Sequence, residues 1–292
     1  MEIGIHHNIP SKEYHSWTDI VSNSYLGRLA KVPAAAKIPQ DETAAMAFGR
    51  AFHCYVLEGA DVFKTQFTIP DSFPTKPNKR STQKTIDAYA EWKKALGDRQ
   101  PITADDVLEI INMRDAVMEH PFASKLLAEG ISETTLIWQD EETGLMCKAR
   151  PDRIPEGNKG VILDLKSTNN ASKYSFQNDC VKFGYAREGA MYLEGFGRLT
   201  GTLYNDLIFS LIAVEKEPPY RVEVYTIEQD FLQYGWGEVH RLLQIEKQCR
   251  DNNQWPHYQC AGSDSLFKPA YVKSWEWEGI DENYKDFSRG DR

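Results

Sequence analysis

Between Gly144 and Thr168 the chain reads GLMCKARPDRIPEGNKGVILDLKST. Three residues in this stretch have types and spacing that could do chemistry: Asp152 directly after a proline, and Asp164 and Lys166 separated by one leucine. The stretch reads as two neighbouring β-strands. Successive strand side chains point to opposite faces, so Ile162, Asp164 and Lys166 share one face and Val161, Leu163 and Leu165 the other. On the preceding strand, Lys148, Arg150 and Asp152 line up in the same way. Two carboxylates then converge beside a lysine, an arrangement that can hold a hard divalent cation next to a positioned water. An isolated Asp-x-Lys is usually a solvated strand face. Here Asp164 sits among apolar residues, where a carboxylate is costly unless paired or bound to metal.

The elements that must position these residues are legible in outline. The spacing predicts a helix over 43–57, with Gly59 just past its end. Gly49, His53 and Leu57 recur at i, i+4 and i+8 and so fall on one stripe. Residues 71–101 begin rich in Pro, Lys and Ser and turn helical through Trp92. A further amphipathic helix covers 104–119 and is stopped by Pro121. Residues 132–154 read as a hairpin turned at Glu142-Thr143-Gly144, and 160–168 as a third strand. A long helix is expected over 173–199, two strands on either side of Pro218-Pro219, and a final helix over 228–249. This order predicts an α/β fold.

The 292 residues, 41% apolar and 12% aromatic, suffice for a substantial core. No apolar run is long enough to cross a bilayer, and the N-terminus lacks the apolar region of a signal peptide. Five cysteines, Cys54, Cys147, Cys180, Cys249 and Cys260, show no framework spacing, which suits a reducing cytoplasm. They also lack the tight spacings of iron–sulfur ligands. The net charge of −9 argues against a broadly basic nucleic-acid surface. Local positive charge exists: Lys76, Lys79, Arg80 and Lys84 in one segment, and Lys148, Arg150 and Arg153 beside the carboxylates. The first group reads equally as a solvated loop. An acidic total also suits a homo-oligomer whose inner surface alone is positive.

The segments YHSWTDIVSNSYLGRLAKVPA, AFGRAFHCYVLEG, GLMCKARPDRI with ILDLKST, and FGYAREGAMYLEGF occur in that order. Together they resemble the PD-(D/E)xK nuclease superfamily and, more closely, the phage and prophage RecE-like exonucleases of the exonuclease VIII type. The similarity runs from about Tyr14 to Pro256. It implies a central mixed β-sheet flanked by helices, with an N-terminal helical elaboration. One domain is expected over 1–280, mostly helical over 1–130 and catalytic over 131–250, followed by a polar tail over 281–292.

The resemblance also implies roles. Read without it, His53 is a satisfied core or boundary histidine; with it, His53 joins Asp152, Asp164 and the backbone carbonyl of Leu165 in binding Mg²⁺, or Mn²⁺. Lys166 would orient the attacking water and offset charge on the phosphate. Glu58 would stand behind these ligands. Relatives carry Gln-x-x-x-Tyr on the following helix, where this chain has Glu188 and Tyr192. Glutamine can donate a hydrogen bond, whereas ionised glutamate only accepts. Glu188 could add a carboxylate to the metal site, be tolerated with altered activity, or be a surface residue.

The implied function is 5′–3′ digestion of linear double-stranded DNA to leave 3′ single strands for recombination. It would be carried out by a ring-like homo-oligomer in the cytoplasm of a bacterial host. Lys148, Arg150, Arg153, Lys79 and Arg80 would meet the DNA, and a RecT-like annealing protein would take the product. Two alternatives remain: another superfamily nuclease, structure-specific or of restriction type, and a non-catalytic DNA-end binder.

Overall fold

The computed structural model describes residues 1–39, 42–156 and 160–257. Cys260, the expected domain end at residue 280 and the expected tail over 281–292 lie outside the described residues. The chain opens with β1 (Gly4–His6), α1 (Ser11–Ser16), α2 (Asn23–Lys31), α3 (Pro33–Ala36) and α4 (Ala44–His53). A π-helical turn, Cys54–Glu58, joins α4 to α5 (Ala60–Gln66) and β2 (Phe67–Thr68). Then come α6 (Gln83–Leu96), β3 (Gln100–Pro101), α7 (Ala104–Glu119), α8 (Ala123–Ala128) and β4 (Gly130–Ser132). The second half runs β5 (Thr135–Gln139), β6 (Met146–Ala149), β7 (Arg153–Pro155), β8 (Val161–Thr168), α9 (Lys173–Phe183) and α10 (Tyr185–Thr200). It closes with β9 (Ile208–Glu215), β10 (Val222–Thr226) and α11 (Gln229–Asp251). Hydroxyl caps start four of the helices: Ser22, Thr43, Thr82 and Thr103 each accept a first-turn amide.

The central sheet has five strands in the order β10-β9-β8-β7-β4. Only β8 and β9 run parallel; the other neighbours are antiparallel. A parallel pair needs a crossover, and α9 and α10 supply it. A second sheet, β1-β5-β6, is antiparallel throughout. No described helix is long and apolar enough to cross a membrane.

The expected alternation on β8 is observed. Ile162 on β8 and Phe209, Leu211 and Ala213 on β9 join a core built with α2, α10 and α11. Leu163, Leu165, Ile212 and Val214 join the opposite core, under α4, α7 and α8. Asp164 and Lys166 fall on the α10 side. There Gly189 lets the helix lie close to the sheet, since a Cβ would sit 2.2 Å from the Phe209 ring.

Three expectations are corrected. The helix expected over 173–199 is two helices, split at Gly184, whose φ of 72° places it in the left-handed region. The helix expected over 43–57 ends in the π turn, closed by the Gly59 amide on the Cys54 carbonyl at 3.1 Å. Asp152 does not share a strand with Lys148: β6 ends at Ala149 in one sheet, and the chain passes Pro151 before β7 joins the other. Proline lacks an amide donor and suits such a break.

Candidate active site

Asp152, Asp164 and Lys166 do meet, but the junction between the two sheets brings them together rather than a simple hairpin. Asp152 stands one residue before β7, and its Oδ2 accepts the Leu165 amide at 2.7 Å. His53, the last residue of α4, brings Nδ1 to 3.2 Å from the same oxygen. Across β8, Lys166 Nζ lies 2.6 Å from Asp164 Oδ2 and 2.7 Å from Glu188 Oε2. The Tyr192 hydroxyl donates to Asp164 Oδ1 at 3.3 Å and to Glu188 Oε1 at 3.4 Å. Lys166 also rests 4.6 Å from the centre of the Tyr185 ring. Asp164 itself is buried; the other groups line one cleft of about 1180 Å³, with Gly49 and Glu58 at its wall.

Burial sets the electrostatics. Asp164 is 2% exposed, and both burial and the Asp152 charge push its carboxyl well above the usual range, against Lys166. Burial acts the same way on Asp152, but the charge and hydrogen bond of His53, then Lys166 and the Leu165 amide, outweigh it and hold its pKa low. Burial disfavours imidazolium at His53, yet Asp152 and then Asp164 lift it to about 9. Lys166 would lose its proton to burial alone; Asp164 and Glu188 keep it charged and raise its pKa. Neighbouring carboxylates shifted in opposite directions are a recurrent feature of functional sites.

The donor set fits a divalent cation. His53, Glu133 and Asp152 each offer a ligand atom within 4.8 Å of the others. Asp164 Oδ2 is buried and makes no aligned hydrogen bond despite its close ammonium neighbour. Leu165 spends its amide on Asp152 rather than on β9, and the carbonyl of a strand residue points to the same edge as its amide. Glu133 is a residue that sequence reasoning missed. Its backbone amide bonds the Asp152 carbonyl at 3.0 Å, and it holds a positive φ of 52°. Burial and Asp152 push its carboxyl up to about 7. No local pattern could have found it, because it reaches the site only where the chain crosses from β4 to β5.

The expected DNA-contacting cations divide. Lys148 is buried and donates to the carbonyls of Tyr14 at 2.6 Å and Trp17 at 2.8 Å. Arg150 pairs with Glu133 at 3.0 Å and donates to the Ile9 carbonyl. Arg153 donates to Ser132 Oγ and the Leu127 carbonyl, both at 2.8 Å. These three donors are tied into the protein around the site: Lys148 and Arg153 meet neutral acceptors only, and Arg150 also meets the Glu133 carboxylate. Lys79 and Arg80 sit in an exposed turn, where Arg80 donates its amide to Asn78 Oδ1. Glu188 is not a surface residue; it is the second carboxylate on Lys166. Leu57 sits in the opposite core, with its carbonyl accepting from Ser132 Oγ.

A family model described as a PDDEXK-like domain of unknown function (DUF3799) matches residues 22–268. Among solved structures, a candidate exonuclease from Eubacterium rectale aligns over 91% of this chain and 97% of its own, at 14% identity and a TM-score of 0.57. At that identity the likeness concerns the fold. A second structure, SSO0001, covers 78% of this chain and 87% of its own at 11% identity; its TM-score of 0.28 carries no argument. No curated protein matches the chain.

Proposed function

The chain belongs to this family of PDDEXK-like domains, with the nuclease fold that the name describes, and on that premise we propose that it is a metal-dependent deoxyribonuclease. The observation that carries the proposal is the meeting of His53, Asp152 and Lys166 on the wall of one open cleft, with Lys166 paired to the buried Asp164. His53, Glu133, Asp152, Asp164 and the Leu165 carbonyl would hold the cation, Mg²⁺ by the proposal with Mn²⁺ as substitute. When bound, the cation supplies positive charge against the scissile phosphate and acidity to a water.

The chain's own groups do the rest. Lys166, kept protonated by Asp164 and Glu188, orients the attacking water and offsets charge growing on the phosphate. Glu188 fixes the ammonium from the helix side, adding a counter-charge where a glutamine would offer only a neutral acceptor. Tyr192 bridges Asp164 and Glu188 and limits their rotation. His53 and then Lys166 keep Asp152 ionised, and the Leu165 amide aims it.

The finer reading is exonucleolytic: digestion of linear duplex from 5′ ends, leaving 3′ single strands for recombination. It rests on the sequence resemblance to RecE-like exonucleases and is in keeping with the candidate exonuclease that shares the fold. A ring-like oligomer in a bacterial cytoplasm, handing its product to a RecT-like annealing protein, completes it. Lys79 and Arg80, exposed like Lys76 and Lys84 of the same segment, would meet the duplex. The test uses linear duplexes labelled at either end and closed circles, with Mg²⁺ or chelator, beside light scattering for mass. Mg²⁺-dependent release of 5′ label from an oligomer is expected. A monomer that nicks closed circles would overturn the exonuclease reading, and no cleavage under any divalent metal would overturn the nuclease.

A further inference from the structure

Away from the cleft, a second group of acids surrounds a histidine. Asp140 lies at the β5–β6 turn, Glu194 on α10 and His240 on α11. One ligand atom from each lies within 4.8 Å of the others. Asp140 is fully buried, Glu194 is 7% exposed, and the His240 side chain 15%.

Their hydrogen bonding is lopsided in a consistent way. Asp140 Oδ2 accepts from the Thr143 amide and hydroxyl at 2.8 and 2.5 Å, while Oδ1 is buried without a partner. Glu194 Oε1 accepts from Arg198 at 3.0 Å, while Oε2 has no partner. His240 Nδ1 lies 3.5 Å from Glu142, while Nε2 is buried, 3.9 Å from Glu194 Oε2, and also unpartnered. Each side chain is therefore held by one atom from behind and presents a bare one in front.

The other deeply buried acids on the α11 and β9 side behave differently. Glu246 has both oxygens partnered, by Arg250 and by Tyr25 with Trp255, and Glu215 has both partnered, by the Ala171 amide and Arg221. Among the described residues, three buried carboxylate oxygens lack a hydrogen-bond partner: Asp164 Oδ2 in the cleft, and Asp140 Oδ1 and Glu194 Oε2 here. The cleft has a lysine to balance them. Here the Arg198 guanidinium pairs with Glu141 and Glu194, while Glu142 lies against His240. A buried bare carboxylate is costly, and buried charges are normally paired or bound to metal.

We propose that Asp140, Glu194 and His240 form a second, structural cation site that takes a transition-metal ion of the Zn²⁺ class. One imidazole nitrogen with two carboxylate oxygens suits Zn²⁺ better than Mg²⁺ or Ca²⁺, which favour oxygen alone. A carboxylate behind the distal nitrogen of a ligating histidine is the usual support of such a ligand, and Glu142 stands there. Glu194 also lines a cavity of about 760 Å³ beside α10, which gives an ion a route in. The ion would clamp the β5–β6 turn to α10 and α11. The site is independent of the nuclease reading, since none of its residues lines the cleft.

The test separates the two sites. In a full-length chain carrying Asp152→Asn and Asp164→Asn, dialysed free of metal, added Zn²⁺ should bind at one ion per chain and raise Tm. Co²⁺ should give the intensified visible absorption of a low-symmetry, nitrogen-containing site. Adding His240→Ala, or separately Glu194→Gln, should take the stoichiometry from one to zero and remove both the Tm shift and the Co²⁺ band. Absence of Zn²⁺ binding and of the Co²⁺ band in the parent, or their persistence in both added variants, would overturn the proposal. If the added variants do not fold, the parent's stoichiometry and band decide alone.

Discussion

Helix α10 serves two acidic clusters that solve the same problem in opposite ways. Toward the sheet, Glu188 and Tyr192 meet Asp164 and Lys166, and the protein carries its own cation, Nζ, between two carboxylates. Six residues on, Glu194 meets Asp140 and His240, where Arg198 reaches only the outer oxygen. The first cluster opens to a cleft of about 1180 Å³; the second is more deeply set, with Glu194 alone of the three reaching a cavity of about 760 Å³. An internal lysine makes a cluster that stays charge-balanced while substrate comes and goes. A cluster without one depends on a partner that remains. Burial of carboxylates is therefore a poor guide to chemistry by itself. The presence of a resident counter-charge and of access is what distinguishes a turnover site.

This contrast breaks most readily at Asp164. Asp164→Asn should lower cleavage by about 10³-fold or more, beyond the loss typical of one stabilising group. Tm in chelator should hold or rise, because the repulsion with Asp152 is relieved; near-normal cleavage would return Asp164 to a structural role. Lys166→Met should cut kcat by about 10²-fold while divalent-cation binding persists. The same change strands two buried carboxylates and should cost about 3–5 kcal/mol in chelator, with Mg²⁺ restoring part of the Tm. A variant that loses only DNA affinity would mark Lys166 as a phosphate anchor.

Glu188→Gln sharpens the contrast further. It removes one counter-charge from Lys166 but keeps a hydrogen-bonding partner, so activity should stay within about tenfold of the parent, above the Lys166 variant. A defect rescued by high Mg²⁺ would show instead that Glu188 itself binds metal. The smallest effect is expected for Lys79→Ala with Arg80→Ala, which should weaken DNA binding and reduce its salt slope by about 2, roughly one per lost phosphate contact. Binding measured across a salt series checks this, and an unchanged slope would leave the turn outside the interface.

What was legible in the sequence follows from the range of the interactions involved. The β8 face is local: a period of two residues places Asp164 and Lys166 together whatever the rest of the chain does. The α/β order and most helix limits are local in the same sense, and capping hydroxyls at Thr43 and Thr103 mark starts that periodicity alone leaves vague. The hydrogen bonds of Lys148 and Arg150 to the N-terminal segment were not legible, because they join residues more than 130 positions apart. The carbonyls of Tyr14, Trp17 and Ile9 that accept from them belong to a segment whose approach no local pattern announces. Glu133 and the Asp140, Glu194 and His240 group were invisible for a related reason. Their members come from separate elements, and the pairing that unites them is decided by which strands enter which sheet. The break at Gly184 was missed because glycine inside an apolar helical pattern is common, and only the left-handed φ distinguishes a boundary.

The π turn after His53 has a mechanical consequence. Helix α4 must aim an imidazole at Asp152, while α5 must seat Phe63 against Phe67, their rings stacked at 4.8 Å. A continuous α-helix advances about 100° per residue and would lock these two aims together. The wider turn over Cys54–Glu58 takes up one residue of slack, as a vernier takes up a fraction of a division, and Gly59, at a φ of 90°, then ends the helical path, so each helix keeps its own rotational setting. Deleting a single residue there would change no chemical group at the reacting centre, yet it would force a choice between the imidazole's aim and the aromatic stack.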